Sequence, residues 1–115
     1  MKLIEIAKFT HDVAGMAAFY RNLLGAEPVA ESPDMAIFMT GETKIFIHKL
    51  YKQGPDDLKP ENHIAFEVED VDQTCASLQV QGVGLEIPPR DYYWGRSAYL
   101  RDPDSSLIEI TRSQK

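Results

Sequence analysis

The sequence contains little of several features that would assign it to particular classes of protein. Only one of its 115 residues is a cysteine, Cys75, which excludes an intramolecular disulfide and fits a reducing compartment. Acidic residues outnumber basic ones by 18 to 12 without a basic cluster, so nucleic acid and anionic membranes are poor candidate partners. No apolar run is long enough to span a membrane. No signal-peptide pattern precedes the first predicted strand, and we expect a cytoplasmic protein.

The remaining composition is that of an ordinary globular protein. Hydrophobic residues make up 43% of the chain and charged residues 26%, with a net charge of −6. A chain of 115 residues can bury one hydrophobic core but not two independent ones. We therefore expect a single domain over residues 1–115.

Hydrophobic periodicity predicts the same series of elements twice, a strand, a helix and three further strands. In the first half, strand 2–9 precedes a helix that Asp12 caps and Gly25 ends. A linker rich in glycine, proline and aspartate follows, and the second half restarts at strand 63–68. The pattern predicts an α+β fold with module 1 over residues 1–52, a linker over 53–60 and module 2 over 61–115.

The later elements complete both modules. Module 1 continues with extended runs over 28–31, 35–40 and 43–51. In module 2 a capping box of Asp70 and Gln73 begins a helix that Gly82 ends. Extended runs over 83–87, up to Pro88-Pro89, then over 96–101 and 107–111, complete that module.

Each module places a ligand-type side chain on its first and last strand. These residues are Glu5 and His48 in module 1, and His63 and Glu109 in module 2. Glu5 and His63 are 58 residues apart, and His48 and Glu109 are 61 apart, which indicates a repeat in pattern. Apolar neighbours face the helices, so the four candidates face the other side. Two imidazoles and two carboxylates suit a divalent metal such as zinc, nickel, manganese, iron or cobalt.

Three short motifs resemble the vicinal oxygen chelate superfamily, which includes glyoxalases, bleomycin-resistance proteins and dioxygenases. They are Phe19-Tyr20-Arg21-Asn22-Leu23-Leu24-Gly25, Asn62-His63-Ile64-Ala65-Phe66-Glu67-Val68, and Asp102-Pro103-Asp104 with Leu107-Ile108-Glu109-Ile110. The resemblance covers nearly the whole chain. It implies paired βαβββ modules that form an open, cup-shaped mixed β-sheet around a metal.

By this resemblance His63 and Glu109 match the family's ligand positions in module 2, and Glu5 and His48 match those in module 1. Bacterial-type glyoxalase I carries His on its first strand and Glu on its fourth, so module 1 has the two exchanged. The resemblance implies that a substrate binds the metal through two neighbouring oxygens. It also implies that Glu5 and Glu109 are candidate catalytic bases. Their alternative role is only to neutralise the charge of the metal.

Other residues are candidates for substrate binding. The segment 88–96 contains three consecutive aromatic residues, at positions 92–94, and Arg96. Tyr92, Trp94 and Arg96 could line the mouth of the cavity. The alternative is that these aromatic side chains close the cup or form a subunit interface. Phe38, Phe46 and Leu50 form either the apolar wall of the cavity or part of the core.

Three functions fit these features. The first is a metal-dependent glyoxalase-like enzyme with isomerase or lyase chemistry on an oxygenated small molecule. The second is a thiol transferase or dioxygenase-type metalloenzyme of the same superfamily. The third is a metal-free, bleomycin-resistance-like protein that binds a drug or metabolite. The resemblance also implies a homodimer, with each cup formed within one chain or by exchange between two.

Overall fold

The computed structural model describes residues 1–54 and 60–113. In these residues the chain forms eight strands and two helices. In chain order they are β1 (Lys2–Thr10), α1 (Val13–Leu24), β2 (Ala30–Ser32), β3 (Met35–Thr40), β4 (Thr43–Lys49), β5 (His63–Glu67), α2 (Val71–Val80), β6 (Leu85–Tyr92), β7 (Gly95–Arg101) and β8 (Leu107–Ser113). This order confirms the predicted α+β fold with two successive βαβββ modules. Most of the predicted linker, residues 55–59, lies outside the described residues.

Module 1 is a mixed sheet with strand order β2-β3-β4-β1. β1 pairs in parallel with β4, and the other neighbours are antiparallel. One face of this sheet packs on α1 through the buried side chains of Ala36, Phe38 and Ile47, which contact Val13 and Ala17 of the helix. The alternate residues of β4, among them Phe46 and His48, therefore project from the opposite face.

The helix α1 begins at a cap whose carboxylate lies against Gly15, the third residue of the helix. The Asp12 side chain accepts a hydrogen bond of 2.9 Å from the Gly15 backbone N–H. A Cβ atom on Gly15 would lie 2.1 Å from Asp12 Oδ2, so any larger residue would displace the capping carboxylate. At the other end, Gly25 has a left-handed φ of 63°, the conformation that glycine adopts most readily.

Module 2 repeats this arrangement with strand order β5-β8-β7-β6. β5 and β8 are parallel, and β7 is antiparallel to both of its neighbours. The helix α2 begins at Asp70, whose side chain accepts from the Gln73 backbone N–H at 3.0 Å. Val71 and Cys75 of this helix pack on Ala98 and Ile110 of the sheet. Cys75 is only 1% exposed, and this burial raises the pKa of its thiol.

The prediction that Pro88-Pro89 ends an extended run is wrong. β6 continues through both prolines to Tyr92, and its pairing with β7 shifts register between Ile87 and Arg90. β6 lies at the outer edge of module 2, where a proline without a backbone N–H interrupts no central ladder. Only Tyr93 and Trp94 then remain between β6 and β7, so the segment 88–96 is mostly strand and contains a two-residue hairpin turn.

By its contacts the chain divides into two compact units, Glu5–Asn62 and Met1–Ile4 with His63–Lys115. The first four residues of the chain thus belong to the unit that contains module 2. Neither described helix is both long and apolar enough to cross a membrane.

Candidate functional site

Module 2 brings His63 and Glu109 together on the face of the sheet away from α2. The parallel pairing of β5 and β8 sets Glu109 beside Ala65, two residues after His63. His63 Nε2 lies 3.2 Å from Glu109 Oε1, and only 7% and 6% of the two side chains are exposed. This buried imidazole–carboxylate pair offers one nitrogen and one oxygen ligand atom.

The motif before β8 sets the start of that strand. Asp102 Oδ1 accepts hydrogen bonds from the backbone N–H groups of Asp104 and Ser106, at 3.0 and 2.9 Å. Ser105 between them has a left-handed φ of 67°. Arg101 spans the turn by donating to the Ser105 carbonyl oxygen and to both oxygens of Glu86. These bonds hold the turn that feeds β8 towards Glu109.

A buried hydroxyl network surrounds the second oxygen of Glu109. Ser97 of β7 is completely buried, and its Oγ lies 2.8 Å from Glu109 Oε2 and 2.7 Å from Thr111 Oγ1. Trp94 Nε1 donates to the same Ser97 Oγ at 3.1 Å. The sequence analysis missed Ser97 because one serine within a predicted strand is a weak signal.

Aromatic rings continue from this network to the β6–β7 turn. Tyr99 is 1% exposed and lies edge-on to His63, with ring centroids 5.9 Å apart. Tyr92 lies edge-on to Tyr99 and stacks on Trp94 at 4.3 Å, while the Arg90 guanidinium lies 4.8 Å from the Tyr92 ring centre. Burial raises the pKa of the Tyr92 phenol, with Arg90 acting in the opposite direction and the Glu109 charge in the same direction.

Arg96 forms ion pairs with two carboxylates. Its Nε and Nη2 donate to the two carboxylate oxygens of Asp72 on α2, at 2.7 and 2.8 Å, and its Nη1 donates to Asp91 at 3.0 Å. These bonds raise the pKa of Arg96 and lower that of Asp72. Arg96 therefore joins the sheet to the helix, on the side opposite to its neighbour Ser97.

In module 1 the register places Phe46 at the position that corresponds to Glu109. The buried residues Ala7 and Ala65 mark equivalent points, 58 residues apart (65 − 7), and they pair with Phe46 and Glu109, respectively. The offset between the last strands is thus 63 (109 − 46), whereas the sequence analysis used 61. His48 therefore corresponds to Thr111 and not to Glu109, so the repeat no longer supports His48 as a metal ligand.

The surroundings of His48 are mostly aromatic. Its ring centroid lies 5.7 Å from Phe9, 5.5 Å from Phe46 and 5.7 Å from Tyr51. Its Nδ1 lies 2.7 Å from the carbonyl oxygen of Lys49. Phe9, the residue opposite His48, is four positions after Glu5 along β1, or about 13 Å at the rise of a strand. Module 1 therefore does not place His48 beside Glu5.

Glu5 lies at the start of the module 1 face. Its Oε1 is 3.4 Å from Lys44 Nζ, and 17% of its side chain is exposed. It is the first residue of the compact unit that contains module 1.

The remaining predicted wall residues separate into two groups. Phe38 is 1% exposed and lies in the core against α1, so it is a core residue, the alternative that the sequence analysis left open. Phe46 projects from the opposite face. Leu50 follows β4, and its backbone N–H donates to the Thr10 carbonyl oxygen at 2.9 Å.

A separate groove of about 970 Å³ lies in the unit that contains module 2. Its lining includes Lys2, Glu67, Asp70 and Arg112, and no predicted site residue contributes to it. The charges along this groove are mixed, and its position does not coincide with the His63–Glu109 pair.

Comparison with known proteins agrees with this architecture. The family model of the Glyoxalase/Bleomycin resistance protein/Dioxygenase superfamily matches residues 2–110. The chain is also 33% identical to the uncharacterised protein YraH of Bacillus subtilis (strain 168), over 96% of this chain and 97% of that protein. The chain therefore belongs to the Glyoxalase/Bleomycin resistance protein/Dioxygenase superfamily.

Two solved structures show the same fold at low sequence identity. A superfamily member from Vibrio splendidus 12B01 is 12% identical, with a TM-score of 0.69 and 97% and 98% of the two chains covered. Methylmalonyl-CoA epimerase of Streptomyces coelicolor, bound to 2-nitronate-propionyl-CoA, is 22% identical, with a TM-score of 0.67 and 100% and 99% covered.

Proposed function

We propose that this protein is a metal-dependent enzyme of the glyoxalase type, with isomerase or lyase chemistry on an oxygenated small molecule. The observation that carries the proposal is the buried contact between His63 and Glu109 on the face away from α2. A carboxylate removed from water is costly unless a cation or several hydrogen bonds compensate its charge. A divalent cation held between the imidazole and the carboxylate would provide that compensation.

The donor set fits the metal that the family implies. His63 and Glu109 would supply nitrogen and oxygen ligands, and Glu5 is the proposed source of a second carboxylate. Two carboxylates would neutralise the charge of a divalent ion. When bound, the ion would act as a Lewis acid on the substrate oxygens. Zinc, nickel, manganese, iron and cobalt all suit this set.

The carboxylates also provide candidates for proton transfer. Ser97 holds one oxygen of Glu109, and the other faces His63, so Glu109 is fixed in orientation. Glu5 is partly exposed and has a cationic neighbour in Lys44. We assign proton transfer to Glu5, whose side chain is 17% exposed, and ligation to both carboxylates.

The stacked rings of Tyr92 and Trp94 are the proposed contact surface for the substrate. Arg90 lies over the Tyr92 ring, so this surface combines an aromatic face with a positive charge. Such a surface suits a planar or anionic group on the substrate. Phe46 would add an apolar contact. Tyr93 is 87% exposed and is not included.

Chelator-sensitive turnover tests this proposal. Protein reloaded separately with nickel, zinc, manganese, iron or cobalt is incubated with hemithioacetals, epoxides plus a thiol, and catechols. We expect turnover of an isomerase or lyase substrate, abolished by chelator and reduced at least about 100-fold in Glu5→Gln, as for loss of a general base. Glu67→Gln, a glutamate substitution in the separate groove, is the control and should retain activity.

The other outcomes identify the competing functions. Turnover of only epoxides with thiols, or only catechols with oxygen, would replace the proposed chemistry with that of the thiol transferases or the dioxygenases. Turnover that survives chelation in metal-free protein would contradict a metal-dependent mechanism.

A second candidate, metal-free binding of a drug or metabolite, has one specific observation in its favour. Phe46 occupies the module 1 position that corresponds to Glu109, beside an aromatic cluster of Phe9, His48 and Tyr51. Such rings suit a planar or cationic ligand, and the net charge of −6 suits a cationic one. Absence of metal under every loading condition, with binding of planar cationic dyes, would favour this function.

The proposed assembly is a homodimer. Superfamily members commonly form dimers, and we expect this chain to do so at micromolar concentration. Light scattering after size-exclusion chromatography would show about twice the chain mass of 13.0 kDa, whereas a single-chain mass would contradict the dimer.

A further inference from the structure

Three polar side chains in module 2 connect the β6–β7 turn to the carboxylate of the candidate site. Trp94 lies in the turn, Ser97 on β7 and Glu109 on β8. The indole nitrogen of Trp94 lies 3.1 Å from Ser97 Oγ, which lies 2.8 Å from Glu109 Oε2. Ser97 is 0% exposed and Glu109 is 4% exposed, so little water competes for these bonds.

The chemistry of the groups sets the direction of each hydrogen bond. An indole N–H can only donate, so Ser97 accepts from Trp94. An ionised carboxylate can only accept, so the single hydroxyl proton of Ser97 points to Glu109. The Thr111 hydroxyl, 2.7 Å from Ser97 Oγ, supplies a further partner to the same oxygen. The chain of donors therefore runs from Trp94 through Ser97 to Glu109.

The direction of these hydrogen bonds determines which oxygen of Glu109 is available to bind a metal ion. Ser97 holds Oε2, and Oε1 faces His63 Nε2 at 3.2 Å. The serine hydroxyl thus prevents the carboxylate from rotating, and it keeps one oxygen beside the imidazole nitrogen. Module 1 has Met35 at the position that corresponds to Ser97, where no side chain can donate such a bond.

We propose that Ser97 is a positioning residue that orients Glu109 and connects it to the indole of Trp94, so that the β6–β7 turn responds to what Glu109 binds. This inference rests on the proposed function, in which Glu109 is a metal ligand. Hydrogen bonds that orient a ligand side chain typically change metal affinity 10- to 100-fold when they are removed.

The single tryptophan of the chain provides a direct probe of this connection. In protein labelled with nitrogen-15, one indole N–H resonance reports on Trp94. We expect Glu109→Gln to shift this resonance. In Ser97→Ala the indole proton should lose its protection from solvent exchange, and Glu109→Gln added to that variant should no longer shift the resonance. Tyr93→Phe, next to Trp94 but outside the hydrogen-bonded chain, is the control and should leave both unchanged. An indole resonance that does not respond to Glu109→Gln would overturn the proposal.

Zinc titration provides the second measurement. Zinc alone should shift the wild-type indole resonance at the stoichiometric point, and Ser97→Ala should weaken zinc binding about 10- to 100-fold. Ser97→Thr, which keeps the hydroxyl, should restore most of the affinity. Trp94→Phe keeps an aromatic ring and removes only the hydrogen bond from the indole to Ser97. It therefore tests the same series of hydrogen bonds if Ser97→Ala does not fold. We expect a smaller loss of zinc affinity in Trp94→Phe, measured by calorimetry.

The two measurements separate this inference from the proposed function. Equal zinc affinity in wild type, Ser97→Ala and Trp94→Phe would overturn the positioning role while metal binding stands. No zinc binding in wild type, together with an indole shift in Glu109→Gln, would overturn the metal-dependent function. The positioning of Glu109 by Ser97 would then hold for a metal-free pocket.

Discussion

Module 1 and module 2 share one order of elements but carry different side chains on the sheet face away from their helices. At equivalent points of the registers, module 1 has Met35, Ile37, Phe46 and His48, and module 2 has Ser97, Tyr99, Glu109 and Thr111. The helix-side positions are instead similar: Ala36 pairs with Ile47 and Ala98 with Ile110, and all four are buried. The cores have thus kept their pattern, while the opposite faces have diverged into an apolar surface and a buried polar network.

The proposed function would use the two faces differently. In the proposed function, module 2 would supply two ligand atoms together with the hydroxyl that orients one of them. The same face of module 1 carries Glu5 and a largely aromatic surface around His48.

The largest effect is expected when the difference between the modules is removed. Phe46→Glu gives module 1 the carboxylate that module 2 has, but without a serine at position 35 to orient it. We expect the free energy of unfolding to fall by about 2 kcal/mol, because an aromatic contact is replaced by a poorly compensated charge. Urea denaturation measures the loss, and Phe46→Leu should cost about half as much. Equal stability of the two variants would contradict an apolar face in module 1.

The helix caps allow a smaller and sharper comparison. Asp12→Ala in module 1 and Asp70→Ala in module 2 should each lower the free energy of unfolding by about 1 kcal/mol. Gly15→Ala should bring no net gain in wild type, because its Cβ displaces the Asp12 carboxylate. In the Asp12→Ala background the cap is already absent, and the same change should stabilise by about 1 kcal/mol. A similar gain in both backgrounds, measured by urea denaturation, would rule out the steric link.

The smallest effect concerns the exposed arginine clamps. Each module has an arginine between two carboxylates: Arg21 with Glu27 and Glu31, and Arg96 with Asp72 and Asp91. Arg96 lowers the pKa of Asp72 below its usual value near 4, so its contribution to stability is present above that pH. The contribution disappears as the pH falls through the lowered pKa of the folded state.

Asp72→Asn should therefore slightly flatten the acid limb of the stability profile, since exposed ion pairs contribute little. Thermal unfolding between about pH 2 and pH 6 measures this limb. Asp34→Asn, an exposed substitution in module 1, is the matched control. A profile that becomes steeper in Asp72→Asn would contradict the sign of the shift.

Much of the fold could be predicted because local signals specify it. Period-two alternation identified the strands, and Asp12, Gly25 and Asp70 marked helix ends through side-chain and backbone geometry that neighbouring residues determine. The path of β6 through Pro88-Pro89 was not predictable in this way. Proline ends a central strand but is tolerated at an edge, and strand order in a sheet is a property of distant pairings.

The candidate site shows a similar limit. Alternation correctly indicates which face a side chain occupies, and both Phe46 and His48 lie on the same face of β4. A slip of two residues preserves the face, so alternation could not distinguish their positions along the strand. The pairing with β1 decides, and it places Phe46 beside Ala7. The partners of Arg96 were also missed, because Asp72 is 24 residues away in sequence.

Metal content in two histidine variants most directly tests the claim that module 2 supplies the imidazole ligand. Wild type, His63→Ala and His48→Ala are purified without an affinity tag, reloaded with divalent metals and measured by elemental analysis. The account predicts about one equivalent per chain in wild type and in His48→Ala, and loss of the metal in His63→Ala. Loss in His48→Ala with retention in His63→Ala, or no metal in wild type, would contradict it.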